Sequence, residues 1–247
     1  MIFKKFTFKK VLSTNNTAIN IIKRKYIKNG MVISETQKKG KGQYGRKWIS
    51  YNGNLFLSFF YCLDNIDIEI KKLTKINCIL VKKGISEFYK KKITFKPPND
   101  LLINNKKICG ILQESITKNS KKFLIVGIGI NIVKSPDILN NPTTNLFEIT
   151  GKKFSNKLVA NSLKKIFENK FSRYLKMWDK IMYLIGDIGN TEIKVCLVNL
   201  NNKIIKRSNF LNDNLSYLKI QKNFRVYNKY YTKIKKILFC SVVPNSY

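Results

Sequence analysis

The sequence predicts an α+β protein, and three features predict it: short apolar runs of strand length, two longer stretches in which apolar residues recur at helical spacing, and a glycine-rich basic loop between two of the strand-like runs. Residues 2–12 alternate enough to open a sheet, Met31 to Glu35 and Asn54 to Cys62 follow, and Ile93 to Lys96, Leu101 to Ile103 and Phe123 to Asn131 continue it. Pro97-Pro98 ends any helix and holds the backbone extended. Asn104-Asn105 suits the positive φ angles of a hairpin turn between Leu101-Leu102-Ile103 and Ile108. The first long helix is expected over residues 70–89, on Ile70, Leu73, Ile76, Leu80, Ile85 and Phe88. The second runs from Ser155 to Trp178, with Leu158, Leu163, Ile166, Phe167, Phe171, Leu175 and Trp178 as its apolar positions. A shorter helix through Ala18, Ile21 and Ile22 has Ser13-Thr14-Asn15 as N-cap oxygens.

Composition narrows the function classes. An apolar fraction of 44% in 247 residues supports one large domain or two smaller ones. Lys+Arg 48 against Asp+Glu 14 gives a formal charge of +34, enough to attract nucleic acid or anionic membrane. The lysines are spread along the whole chain together with Asn and Ile, which reads as compositional bias. A non-enzymatic basic binding protein is therefore the least favoured reading. Cys62, Cys78, Cys109, Cys196 and Cys240 form no Cys-x-x-Cys pair, so they read as buried thiols in a reducing cytoplasm. The chain has no histidine, which excludes His triads, His metal ligands and imidazole bases. Met1-Ile2-Phe3-Lys4-Lys5 is no signal peptide, and no stretch approaches the roughly 20 apolar residues of a membrane span. The expectation is a soluble, cytoplasmic protein with no membrane partner.

The loop from Gln37 to Trp48 carries the chemistry. Gly40, Gly42 and Gly45 offer positive φ and close backbone approach, Lys41, Arg46 and Lys47 supply charge, and Trp48 presents a flat face to a purine. Taken alone, the loop reads equally well as a phosphate cradle or as a solvated basic connection. Two further stretches decide: Lys96-Pro97-Pro98-Asn99-Asp100 leading through Lys106-Lys107 to Gly110-Ile111-Leu112-Gln113-Glu114, and Val126-Gly127-Ile128-Gly129-Ile130-Asn131.

In order and spacing these motifs resemble the catalytic domain of biotin-protein ligases, whose patterns are Gly-Arg-Gly-x-x-Gly-Arg-x-Trp, Lys-Trp-Pro-Asn-Asp, Lys-x-x-Gly-Ile-Leu-x-Glu and Gly-x-Gly-x-Asn. Ser13-Thr14-Asn15 matches the family's Ser-Thr-Asn, and Pro142-Thr143-Thr144-Asn145-Leu146 resembles its Ala-Thr-Ser-Leu region. The resemblance implies a mixed β-sheet with helices on one side, similar to class II synthetase catalytic domains, over residues 1–180. It implies ATP-dependent activation of biotin to biotinyl-5'-AMP, Mg²⁺ with the ATP, and transfer to a lysine of the biotin carboxyl carrier protein of acetyl-CoA or a related carboxylase. It places Ser13, Thr14, Asn15, Gln37, Lys41, Gly42, Gln43, Lys107 and Gly110 around biotin. Arg46, Trp48, Asn99, Asp100 and Asn131 fall to the nucleotide. Lys107 and Arg46 act on the reacting carboxylate and phosphate, and Asp100 is the one residue offered to Mg²⁺, with no protein metal cage. Lys41 and Gln43 stand where the family usually has Arg, and Pro97 replaces its Trp. The pattern begins near residue 13, so no DNA-binding domain is expected, and a homodimer is compatible with the family. A lipoate or octanoate ligase of the same fold is the alternative.

A second resemblance follows in Met182 to Val198. Asp187-Ile188-Gly189-Asn190-Thr191-Glu192-Ile193-Lys194 is similar to the Asp-x-Gly-Asn-Thr-x-x-Lys hairpin of type III pantothenate kinases, and Cys240-Ser241-Val242-Val243-Pro244 to a later segment of them. It implies a partial ribonuclease H/actin-like kinase lobe over residues 181–247, with Asp187 placed for a metal and Gly189, Asn190, Thr191 and Lys194 for phosphate. A bifunctional ligase/kinase fusion with an incomplete kinase part is the corresponding alternative. The expectation is that this segment binds ATP weakly at most.

Overall fold

The structure, a computed structural model, describes residues 1–25, 27–63, 70–199, 203–212 and 216–241; at Lys71 and at 176–180 it describes the backbone only. The chain divides into two compact units, Met1–Ser172 and Arg173–Tyr247.

The first unit holds strands β1 (Lys4–Val11), β2 (Asn29–Gln37), β3 (Leu55–Cys62), β4 (Thr94–Lys96), β5 (Asp100–Ile103), β6 (Lys106–Lys118) and β7 (Lys121–Ile130). Its helices are α1 (Thr14–Lys25), α2 (Ile70–Ile85) and α3 (Leu146–Thr150), and α4 (Asn156–Lys180) begins in it. The strands form one mixed sheet in the order β1-β2-β3-β7-β6-β5-β4, with β1 parallel to β2 and the other neighbours antiparallel. Asn104 and Asn105 take φ of 49° and 61° in the β5–β6 turn, as their residue type leads one to expect.

The central strand β3 is apolar on both faces and buried along nearly its whole length, so both faces need a cover. Phe60 packs with Ala18, Ile21 and Ile22 of α1. On the opposite face Phe59 stacks on Phe167 of α4 at 4.2 Å, and Tyr61 meets Phe171 at 4.7 Å. The mixed α+β class is as expected; one detail differs, since the helices are divided between the faces instead of gathered on one.

The expected helices also lose residues at their ends. Phe88 lies beyond the end of α2, and Ile70 and Leu158, each in a first turn, are 39% and 52% exposed. The side chain of Trp178 lies outside the described residues. The thiols are less uniform than expected: Cys78 and Cys109 are buried, Cys62 and Cys196 half-buried and Cys240 exposed. Burial, with the Asp100 carboxylate adding to it, pushes Cys78 up to about 12. Burial also raises Cys109 well above the usual thiol range, with Cys78 and Asp100 adding to it and Lys107 opposing.

The second unit is a four-stranded sheet in the order β10-β9-β8-β11, from β8 (Met182–Ile188), β9 (Glu192–Asn199), β10 (Ile204–Leu211) and β11 (Ile234–Ser241), the last parallel to β8. Helix α5 (Tyr217–Phe224) and a 3-10 segment, Arg225–Lys233, supply Phe224 and Tyr227 to a core of Met182, Leu184, Ile193, Val195 and Leu197. Within the segment Cys240 to Pro244, residues 242–244 lie outside the described residues.

The stacked Phe59–Phe167 pair ties α4 to the sheet, and both rings are fully buried. Phe167→Ala should destabilise the full chain by about 3–5 kcal/mol in a denaturant titration; a loss under about 1 kcal/mol would show that α4 is not held by this contact.

Candidate functional site

A cavity of about 500 Å³ opens on the α1 face of the large sheet. It exists because side-chain size changes along one row. On β7 the residues facing α1 run Phe123, Ile125, Gly127, Gly129; the first two pack under α1 and the last two line the cavity. Gly110 of β6 pairs with Gly129 and extends the bare floor. A Cβ at Gly129 would fall 2.4 Å from the Trp48 ring, and one at Gly110 would fall 2.6 Å from it. The indole therefore lies on the two glycines, with its Nε1 buried and without a partner.

The start of α1 forms one end of the cavity. Ser13, Thr14 and Asn15 are all buried there. Gln37 Oε1 accepts from the Thr14 backbone N–H at 2.8 Å, so a helix-terminal N–H is capped from β2 and not by the local serine or threonine. Asn15 spans three strands: its Nδ2 donates to Glu114 Oε2 at 2.6 Å, its Oδ1 accepts from Ser58 Oγ at 2.5 Å, and a Cβ on Gly127 between them would meet Oδ1 at 2.4 Å.

The basic loop is closed by its own backbone. Gly42 N–H donates to Arg46 O at 2.6 Å and Trp48 N–H to Gly40 O at 2.9 Å, while Lys41 and Lys47 form a bridge. Of the three loop glycines only Gly45 takes a positive φ, 72°; Gly42 sits at −111°, and the second left-handed residue is Tyr44, at 54°. Gly40 is needed for a different reason, because a Cβ there would lie 2.5 Å from Trp48 O. Lys41 Nζ donates to Asn16 Oδ1 at 3.1 Å, which ties the loop to α1. Gln43 and Arg46 line the cavity, Arg46 exposed at its mouth.

Lys107 enters from β6. Its backbone is held on both sides by the following loop, N–H to Pro142 O at 2.8 Å and O from Thr144 N–H at 3.0 Å. Its ammonium lies 2.8 Å from Asp100 Oδ1 and 5.4 Å from the Trp48 ring centroid. The Asp100 contact is an ion pair at the length of a charge-assisted hydrogen bond. Asn99 and Asn131 reach the cavity wall, but their amides are used in the frame: Asn99 Nδ2 donates to Ile111 O at 2.7 Å and Asn131 Nδ2 to Thr144 O at 3.1 Å.

Every residue expected around biotin or the nucleotide thus lies on one cavity. Sequence reasoning passed over Ser58, Pro136 and Ile138, and gave no site role to Glu114 and Thr143, which its motifs contain. The signal for Ser58 was present, a single small polar side chain among the large hydrophobic residues of the strand. Among the described residues the wall carries the cations Lys41, Arg46, Lys47, Lys96 and Lys107 and one carboxylate, Asp100. Such a wall attracts polyanions. A single carboxylate suits a Mg²⁺ ion that brings phosphate and water ligands of its own.

In the second unit Asp187 pairs with Lys194 across the β8–β9 hairpin, whose turn is closed by Gly189 N–H to Glu192 O at 2.9 Å. Asn190 and Thr191 are exposed in that turn, and the Lys194 ammonium sits 3.5 Å from Glu192. Asp187 Oδ1 accepts from Cys240 Sγ at 3.4 Å, which raises the Cys240 thiol above its usual range.

Gly129→Ala must lift the Trp48 ring off its floor. In a Trp178→Phe background the remaining indole emission should shift towards that of solvated indole, with the fold retained by circular dichroism; an unchanged spectrum would mean that the ring does not rest there.

The sequence matches the Biotin/lipoate A/B protein ligase family over residues 8–131. It is 30% identical over 169 residues to the bifunctional ligase/repressor BirA of Bacillus subtilis, covering 66% of this chain and 52% of that protein, so the chain spans about half the length of this relative. It is also 46% identical over 66 residues to the type III pantothenate kinase of Pelagibacter ubique, 27% of each chain. Among solved structures, biotin protein ligase from Aquifex aeolicus in complex with biotin and ATP superposes with a TM-score of 0.61 at 23% identity, over 84% of this chain and 99% of that one. With the family's match running from β1 through the basic loop to Asn131, half of the chain, this chain belongs to the biotin/lipoate A/B protein ligase family.

Proposed function

We propose that the chain joins biotin to ATP, forming biotinyl-5'-AMP and pyrophosphate, and then passes the biotinyl group to a lysine of a biotin carboxyl carrier protein. The observation that carries this reading is the convergence of the buried polar end at Thr14, Asn15 and Gln37 and the cationic end at Lys107 and Arg46 on one cavity floored by Gly110, Gly127 and Gly129. One end suits a neutral polar ring and the other an anionic head, as in a ring-bearing carboxylic acid meeting a nucleotide triphosphate.

The first step requires the biotin carboxylate to attack the α-phosphate as pyrophosphate leaves. Two anions must approach, and charge builds on the phosphate oxygens. Preorganised cations lower that barrier without a covalent enzyme intermediate, which suits a chain without histidine. Lys107 bridges carboxylate and α-phosphate, and Asp100 holds its ammonium at the floor until the anions arrive. Arg46, exposed at the mouth end of the loop, gathers phosphate. Trp48 gives its face to the adenine, and Asn99 and Asn131 stiffen the wall beside it. Asp100 is the carboxylate that would hold a Mg²⁺ ion brought in by ATP, which would screen the phosphate charge. Lys41, Gly42 and Gln43 close the loop over the acyl chain.

In this reading residues 1–180 are the ligase catalytic domain and residues 181–247 a partial type III pantothenate kinase-like segment. The second part is supported by the Asp187–Lys194 hairpin and by the short kinase match. No helix among the described residues is long and apolar enough to cross a membrane; a cytoplasmic site of action accords with the thiols and with the substrates proposed.

The deciding experiment is formation of biotinyl-AMP from biotin and ATP by the purified chain; absence of pyrophosphate release with biotin would refute the reading. Lys107→Ala should remove adenylation while the fold survives, since a lost charged contact is worth roughly 1.5–3 kcal/mol, about ten- to a hundredfold or more in rate. Pyrophosphate release at the wild-type rate would exclude Lys107. Gln43→Arg should slow escape of the adenylate, because a guanidinium fork can hold what an amide cannot; an unchanged dissociation rate would make position 43 an ordinary loop residue.

A further inference from the structure

The hydrogen-bond directions at the inner end of the cavity follow from two anchors. Glu114 Oε2, a carboxylate oxygen, accepts, so the Asn15 atom at 2.6 Å from it is Nδ2. That orientation turns Asn15 Oδ1 towards Ser58, whose hydroxyl at 2.5 Å must then donate to it. The second anchor is the Thr14 backbone N–H, which can only donate, so the Gln37 atom 2.8 Å away is Oε1. The Thr14 hydroxyl now has two oxygens behind it able to accept, Ser58 Oγ at 2.8 Å and Gln37 Oε1 at 3.2 Å. Its proton is taken up within the protein whichever it chooses. The remaining Asn15 hydrogen faces Leu112 O at 3.4 Å. Thr14 Oγ1 and Asn15 Oδ1 are left with lone pairs for a ligand and no proton to give.

We propose that Ser58 and Glu114, the first fully buried and neither assigned a part in the reaction above, are positioning residues that fix Thr14 Oγ1 and Asn15 Oδ1 at this end of the cavity as hydrogen-bond acceptors. They thereby select a ligand ring bearing N–H donors, such as a cyclic urea, over a dithiolane, which has no donor to offer. The inference rests on the proposed ligase function for the identity of the ligand and supplies what the family alone leaves open, the choice between biotin and lipoate. Ser58 can act here because it stands opposite Gly127, where the missing side chain leaves room for the Asn15 carboxamide to lie across β7 from β3 to β6.

The test is calorimetric binding by the full chain, without ATP, of biotin, a biotin analogue methylated on both ring nitrogens, and lipoate. The wild type should bind biotin at least about 100-fold tighter than either other ligand, since a site built for donors rejects rings lacking them. Ser58→Ala should lower that ratio to about tenfold or less, with thermal stability still measurable. Should Ser58→Ala not fold, half-buried Glu114 decides: Glu114→Lys, an obligate donor, should turn the Asn15 amide and collapse the ratio, while Glu114→Gln, which keeps an acceptor, should restore it. Equal affinities for the three ligands in the wild type, or an unchanged ratio in Ser58→Ala or Glu114→Lys, would overturn the inference. Selective biotin binding without pyrophosphate release would leave it standing and refute the ligase reading.

Discussion

The site depends on one constraint, the loss of side-chain bulk at successive positions along one face of β7. Where Phe123 and Ile125 stand, α1 packs directly on the sheet; where Gly127 and Gly129 stand, the space is open to Asn15 and Trp48. Because residues on a strand alternate faces, glycines two apart remove volume from one face while Val126, Ile128 and Ile130 keep the other closed. A cavity can thus be cut into one side of a sheet whose opposite side remains a packed core of Phe59, Tyr61, Phe167 and Phe171. The helices on both faces are the counterpart of this arrangement: α1 ends the cavity and α4 carries the burial on the other side.

Electrostatics follow the same division. At the buried end Thr14 and Asn15 are uncharged and internally hydrogen-bonded, as burial demands of polar groups, with the half-buried Glu114 carboxylate behind the Asn15 amide. The charged groups lie towards the mouth, where Lys107 and Asp100 are each partly solvated. An ion pair in that setting is weak enough to open when a better anion arrives. With no histidine in the chain, position and charge are the means on which the proposed acyl activation relies.

Much of the first unit was legible from the sequence. Alternation and apolar runs located the strands, and four motifs in series located the cavity residues, because those motifs combine residue types that serve both turns and ligands. The loop conformation was not legible: Tyr44 and not Gly42 takes the left-handed turn, since the Gly42–Arg46 and Gly40–Trp48 backbone bonds close the loop in a register no local rule specifies. In the second unit the kinase-like resemblance rested on a hairpin whose Asp187 and Lys194 are near neighbours in sequence, and on the Cys240 to Pro244 segment.

By itself the sequence determined the strands, the glycine spacing, the cation-rich loop and the absence of imidazole, all properties of residues acting within a few positions of one another. Only the tertiary structure decided which way the polar groups point. Gln37 is brought to Thr14, Ser58 to Asn15 and Glu114 to the far side of the same amide from three different strands, and a hydrogen bond has a direction that depends on what lies at both ends.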